Sequence, residues 1–307
     1  MAMITILGSR WRAAAAVWII SAVIFYFIYR AVRQSTVSDS SQSSSERRSV
    51  LYDKMARDLD DHGMKFLQGG KTSQLLSLND LFELSGGSVI PKLKAVDPPV
   101  RANVLHLSLE FSNPISQVVK DVFLPYFDGA IWFQNSSLYH FSMFHASHHL
   151  TPVKATEAEI EAEVNAVKAV ADSLCPLMIV LDRVVLTSTG VLLGLWQVIS
   201  GPDPVVIRAK LRDALPCSPV KQLYDTVMLH TSFARILAHP KVPLVEMKRP
   251  SDLLSFLHKL VARVNNNIRG FKAVVSELWF VEEYDVLALA LGGRMKEHKF
   301  RLGCSGH

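Results

Sequence analysis

Two stretches of the chain place a histidine two residues before a serine: Tyr139-His140-Phe141-Ser142-Met143 and Leu229-His230-Thr231-Ser232-Phe233. Each fits the pattern His, any residue, Ser or Thr, apolar residue. On an extended strand, residues two apart project from the same face. His140 therefore points with Ser142, and His230 with Ser232. If the two strands lie side by side about a pseudo-twofold axis, two imidazoles and two hydroxyls converge on one groove, while Phe141, Met143, Thr231 and Phe233 face away. An imidazole titrates near neutrality, so one ring can take a proton from a nucleophile while the other hands one to a leaving oxygen. Hydroxyls can hold the non-bridging oxygens of a phosphorus centre. The chemistry these residues suit is the opening of a phosphodiester. A third match, His106-Leu107-Ser108-Leu109, shows how readily so short a pattern arises and is weighed as a decoy.

The elements that must position these residues follow from periodicity. Past Asp97-Pro98-Pro99, read as a turn, Asn103 to Leu109 reads as extended, Ile115 to Phe123 as helical and Ala130 to Phe144 as extended. Glu157 to Leu174 is a long amphipathic helix. Leu177–Leu186 and Val191–Ile199, joined by Thr187-Ser188-Thr189-Gly190, read as a hairpin. Pro204 to Leu215 is helical, with proline at a favoured start. Tyr224 to Phe233 is extended, Leu253 to Asn265 helical after a Ser251 cap, and Phe271 to Val281 extended. A strand-and-helix set is thus traversed twice, which predicts an α+β fold with two related lobes.

Ahead of this domain lies a different kind of sequence. Ala13 to Tyr29 carries no charge, is closed by Arg12 and Arg30, and contains Trp18, Tyr26 and Tyr29. Its length, at about 1.5 Å per residue, lies at the short end of what spans a bilayer core, and its aromatics suit an interfacial belt. Bulky residues where a cleavage site would need small ones favour an uncleaved anchor over a signal peptide. The expected division is a tail over 1–12, a single transmembrane anchor over 13–29 and a serine-rich linker over 30–49. A helical accessory segment follows over 50–100, the two-lobed domain over 101–290 and a basic tail over 291–307. Within the accessory segment, Val50–Leu67 and Leu75–Leu84 both have helical spacing. Arginines flank the anchor on both sides, which leaves its orientation open. The sequon Asn135-Ser136-Ser137 would, if used, put the domain in a lumen, and the expected location is an endomembrane such as the endoplasmic reticulum or Golgi.

A net charge of +5 over 307 residues does not by itself imply nucleic acid binding. The late basic group Arg294, Lys296, Lys299 and Arg301 reads as a solvated tail. Three cysteines, Cys175, Cys217 and Cys304, form no metal pattern. They are expected to be reduced, with Cys175–Cys217 the pair considered for an oxidising compartment. His145, His148 and His149 lack a Cys or acidic partner at a regular interval and read as solvated or loop-packing residues rather than zinc ligands.

The stretch His230-Thr231-Ser232-Phe233-Ala234-Arg235 is similar to the H-x-T-L-A-R form common in the 2H phosphoesterase superfamily, which includes RNA ligase-like proteins and cyclic phosphodiesterases. The resemblance covers roughly Arg101 to Asp285. By position, it makes His106 a first-strand residue and His140 the first motif. It implies a two-lobed fold of antiparallel sheets flanked by helices and a pair of catalytic histidines, His140 and His230. It also implies substrate contacts from Ser142, Ser232 and Arg235, with no metal and no organic cofactor. The implied substrate is a nucleotide or RNA-end phosphodiester, often cyclic. The chain departs from the family after the first motif, where Phe144-His145-Ala146-Ser147-His148-His149 stands in place of an apolar, glycine-containing stretch. That departure keeps an alternative open: a non-catalytic scaffold whose groove binds nucleotide, RNA or protein.

Overall fold

A computed structural model of the chain describes residues 43–68, 77–241, 249–286 and 292–304. The tail 1–12, the apolar stretch 13–29 and the linker up to residue 42 lie outside the described residues. Among the described residues no helix is long and apolar enough to cross a membrane.

The first described element is a helix, α1 (Ser44–His62). Composition predicts a serine-rich tether as far as Ser49, but the helix takes over at Ser44. The reason is a reciprocal cap: Ser43 Oγ accepts the Glu46 N–H at 3.2 Å while the Glu46 carboxylate accepts the Ser43 N–H at 2.8 Å. A single 3-10 turn follows at Lys65–Gln68. The expected helix over Leu75–Leu84 shrinks to α2 (Leu78–Leu81), after which β1 (Phe82–Ser85) and β2 (Ser88–Pro91) form a hairpin. Its turn is Gly86-Gly87, both at positive φ, a conformation open to glycine at no steric cost.

Two antiparallel sheets carry the rest. The first has the order β11-β10-β3-β5, from β3 (Lys94–His106), β5 (His140–Ser147), β10 (Glu277–Val286) and β11 (Met295–Arg301). The second runs β4-β8-β7-β6-β9, from β4 (Ile131–Phe133), β6 (Leu177–Leu186), β7 (Val191–Ser200), β8 (His230–Ile236) and β9 (Lys272–Val275). Four long helices back them. Helix α3 (Leu109–Phe127) packs on β4 and β8 and against α6 (Pro250–Ile268), which also packs on β6. Helices α4 (Glu157–Asp172) and α5 (Pro204–Ala214) pack together behind the first sheet, on β10, β11 and β5. The fold is α+β, as read from the sequence, with α4 and α5 on one face of the first sheet and α3 and α6 on one face of the second. Helix α1 packs through Leu51, Tyr52 and Met55 on Val185, Val191, Leu193 and Leu195 of the second sheet's other face.

Local chemistry explains the boundaries. A Thr156–Glu159 capping box starts α4, and Asp203 caps α5 with Pro204 at its first position. Helix α6 begins earlier than the sequence reading, with Arg249 rather than Ser251 at the cap position, because Pro250 suits the first helical residue. Its buried residues Leu253, Leu257, Leu260, Val264 and Ile268 recur every three or four positions. Asp97-Pro98-Pro99, read as a turn, lies inside the extended β3.

Two expectations about the carboxyl end need correction. The basic stretch 291–307 is not a free tail: Met295–Arg301 pairs in register with β10 along seven residues. An edge strand with one solvated face is naturally rich in charge, and charge there discourages pairing with other chains. The cysteine reading is also overturned, since Cys175 is bonded to Cys304 while Cys217 is free and exposed. The residues after β11 return to the end of α4, where Gly303 N–H donates to Ala171 O at 3.2 Å and Cys304 N–H to Leu174 O at 3.2 Å. That return brings Cys304, and not Cys217, beside Cys175. Cross-linking residues 129 positions apart constrains the unfolded chain, so Cys304→Ala is expected to cost about 2–4 kcal/mol. Denaturant midpoints of the variant and of the parent, with and without reductant, check it; a variant as stable as the oxidised parent contradicts it.

Candidate active site

Strands β5 and β8 adjoin, one from each sheet. Phe141 and Met143 of β5 and Phe233 of β8 point into the main core, and His140, Ser142, His230 and Ser232 take the opposite face, as strand alternation requires. Cross-strand neighbours confirm the sidedness. Ser142 stands opposite Val104 and His140 opposite His106. Ser232 stands opposite Leu193 and His230 opposite Leu195.

Arg235 joins this face through an irregularity. Simple alternation from His230 would send an odd-numbered residue to the core. In the pairing with β7, however, Leu193 faces Ser232, Leu192 faces Ala234 and Val191 faces Arg235, so Phe233 is an extra residue. Such a bulge re-aims every side chain beyond it. Gly194 makes room for the Phe233 ring: a Cβ there would collide with it. Arg235 ends up 4% exposed, with Nε and Nη1 lacking any protein partner. Burial pulls its pKa down to about 10, with Tyr224 acting in the opposite sense, and the guanidinium stays charged at neutral pH. A buried cation with free donors is built to meet an anion.

Tyr224 ties the two lobes together. Its ring lies 4.9 Å from that of His230 and 6.3 Å from that of His145. Burial pushes its phenol up, with Ser142 acting in the opposite sense. The segment ahead of β8, which reads from sequence as strand from Tyr224, is instead a turn, in which Asp225 accepts the Val227 N–H on its side chain and the Met228 N–H on its carbonyl.

The two histidines differ in their support. His140 Nδ1 lies 2.8 Å from the Leu138 carbonyl. A carbonyl only accepts, so Nδ1 carries the proton and Nε2 presents a lone pair. His230 Nδ1 is buried without a partner. Burial holds His140 down to about 4, helped by repulsion from His106 and opposed by the Leu138 hydrogen bond. Burial likewise holds His230 down to about 3, with further repulsion from His140 and Arg208. At neutral pH both rings are therefore uncharged.

His106, the decoy, lies on β3 beside His140. Its ring stacks on Trp279 at 3.9 Å and its Nε2 lies 2.9 Å from the Ser137 carbonyl. His148 packs a loop, as expected: its Nε2 donates to Lys221 O at 3.1 Å and its Nδ1 accepts the Thr151 N–H at 3.2 Å.

Three supporting residues escape the sequence reading. Arg208 of α5 is 7% exposed and donates to four carbonyls, Ser142 and Met143 on β5 and Thr226 and Met228 ahead of β8, at 2.6–3.0 Å. It staples the two motif strands together. The Tyr52 hydroxyl of α1 lies 2.7 Å from Leu229 O and 2.8 Å from Trp196 O, and accepts the Leu229 N–H at 3.1 Å. Arg48 holds Val227 O at 2.7 Å and pairs with Asp203. A readable signal exists in α5, where Arg208 interrupts the buried positions Pro204, Ile207 and Leu211. A charge on a buried helical face needs partners. Arg208→Met, which keeps volume but strands four carbonyls, is expected to cost at least about 3 kcal/mol. Urea unfolding measures it, and a loss under about 1 kcal/mol would contradict the stapling role.

No family model matches the chain, and no curated protein matches it. Solved structures do resemble it in shape. TT0787 of Thermus thermophilus is 12% identical, with 67% of this chain and 100% of that chain covered and a TM-score of 0.45. E. coli LigT in apo form is 13% identical, with 67% and 96% covered and a TM-score of 0.40. LigT complexed with 3'-AMP gives the same identity and coverage at a TM-score of 0.38.

Proposed function

We propose that the chain is a phosphodiesterase, acting on nucleotide or RNA-end phosphodiesters and on 2′,3′-cyclic phosphates among them, by two-histidine acid–base catalysis. What supports this reading is that β5 and β8 adjoin, that His140 and Ser142 on one and His230 and Ser232 on the other lie on the face away from the main core, and that the buried Arg235 has Nε and Nη1 without protein partners. The fixed Nδ1–H of His140 supports it as the base: its Nε2 takes a proton from water as the oxygen attacks phosphorus. His230 then supplies the proton to the departing ribose oxygen. The bond to that oxygen breaks, and a phosphomonoester remains. His230 takes that proton from solvent as substrate binds, because the diester's negative charge favours the protonated form of a ring that is otherwise neutral. Arg235 and the two serine hydroxyls hold the non-bridging oxygens. The uncharged stretch 13–29 supports tethering at a membrane, with an endomembrane as the proposed location.

The test is incubation of the full chain, in detergent, with 2′,3′-cyclic nucleotides and with RNA ending in a cyclic phosphate. A single monoester product, formed equally in the presence of a chelator, is expected. One observation favours a second reading, a binding scaffold: His230 Nδ1 has no hydrogen bond to orient the ring, whereas a catalytic imidazole is ordinarily held at that atom. Nucleotide binding in calorimetry with no product on prolonged incubation would select the scaffold.

A further inference from the structure

The bulge that re-aims Arg235 has a twin in the other lobe. Along β3, Val104 faces Ser142, Asn103 faces Phe144 and Ala102 faces His145. Met143 is therefore the extra residue, as Phe233 is in β8. Each motif strand reads histidine, core, serine, extra residue, core, and then a side chain returned to the histidine's face. In β8 the returned residue is Arg235; in β5 it is His145. Ala102, opposite His145, belongs with Val100, Val104, Trp279 and Val281 to the apolar cluster on the same sheet face as His140. The ring itself lies 6.3 Å from that of Tyr224, whose ring is 4.9 Å from that of His230. Its backbone is clamped by Gln222, whose Oε1 accepts the His145 N–H at 2.8 Å and whose Nε2 donates to His145 O at 3.1 Å.

We propose that His145 is a substrate-binding residue, the first lobe's counterpart of Arg235, and that it contacts a phosphate oxygen on the side of the groove away from that arginine. The proposal rests on reading the groove as a phosphodiester site. It extends that reading from one cationic contact to two and assigns the second to a residue outside the paired motifs. The two contacts differ in kind. Arg235 is always charged, whereas burial, with repulsion from His148, His149, His140 and Arg208, holds His145 neutral at physiological pH. Tyr224 also packs against the ring and is neutral at physiological pH. An anion must therefore bring a proton to His145. A monoester, with a second ionisation near pH 6, offers more charge than a cyclic diester, so His145 favours the doubly charged ligand and binds it better as the pH falls from 8 toward about 6.

The test compares the full chain with His145→Leu, His145→Gln and His145→Arg, using calorimetry with a nucleoside 3′-monophosphate and steady-state turnover of the 2′,3′-cyclic nucleotide. His145→Leu is expected to weaken monophosphate binding at pH 6.5 by about tenfold and to raise KM for the cyclic substrate, leaving kcat within about threefold. His145→Arg should bind the monophosphate at least as tightly as the parent at pH 8 and lose part of the parent's dependence on pH. If arginine lowers the unfolding midpoint, His145→Gln carries the test, with weakened binding and a flattened pH dependence. Unchanged affinity in the leucine and glutamine variants, beside a parent that binds and turns over nucleotide, overturns this proposal alone. A parent that neither binds nor cleaves any of these phosphates overturns the phosphodiester reading and the His145 assignment with it.

Discussion

Replacing either His140 or His230 with alanine is expected to lower kcat for a 2′,3′-cyclic nucleotide by about 10²–10⁴-fold, the range that a positioned acid or base supplies. The double variant should be little worse than the worse single one, because proton removal and proton delivery serve one displacement and fail together. The His140 effect should appear chiefly in kcat, since its Nε2 acts on the attacking water. Steady-state kinetics with stopped-assay controls measures all three. His106→Ala provides the contrast: its ring stacks on Trp279 and its Nε2 is engaged by Ser137, so its turnover should stay within about tenfold of the parent. A His140 variant with near-parental turnover would remove the acid–base assignment.

The second large effect is on stability in mild acid. His145 and His230 are 7% and 8% exposed, and each is held down to about 3 in the folded protein. In the unfolded chain each titrates near 6.5. The unfolded state therefore binds protons first as the pH drops, and stability must fall. Above about pH 6.5 neither group contributes a slope. Between there and pH 4 each removes about 1.4 kcal/mol per pH unit, so together they cost several kcal/mol of a total that is ordinarily about 5–15. Urea midpoints at pH 7.5, 6.0, 5.0 and 4.5 should fall steadily below pH 6.5, and His145→Gln should flatten the decline. A midpoint unchanged down to pH 4.5 would show that these rings are open to solvent.

The motif strands are legible in the sequence because alternation with period two is a strong signal, and it survives in β5 and β8 up to the serine of each. The bulges are not legible. One extra residue leaves composition and spacing unaltered, yet it turns His145 and Arg235 onto the groove face. Arg235 is reached by family likeness, whereas His145 reads, with His148 and His149, as loop packing. The hairpin at Gly86-Gly87 does carry a turn signal, which the helical spacing of Leu75 to Leu84 obscures. Strand β11 reads as a tail because one face of an edge strand stays wet and charged. The Cys175–Cys304 pairing depends on the return of the carboxyl end to α4, a tertiary fact with no trace in cysteine spacing. Arg208 and Tyr52 act on backbone atoms far along the chain, and contacts of that kind have no motif.

If His140 and His230 address one bound phosphorus, histidine nitrogen NMR tests it most directly. With the imidazoles labelled with ¹⁵N and assigned through the His140→Ala and His230→Ala variants, inorganic phosphate is titrated into the full chain. The Nε2 resonances of both residues are expected to move together along one binding curve, while those of His106 stay in place. Movement of only one of the pair, or two curves with different midpoints, would contradict a shared phosphorus site.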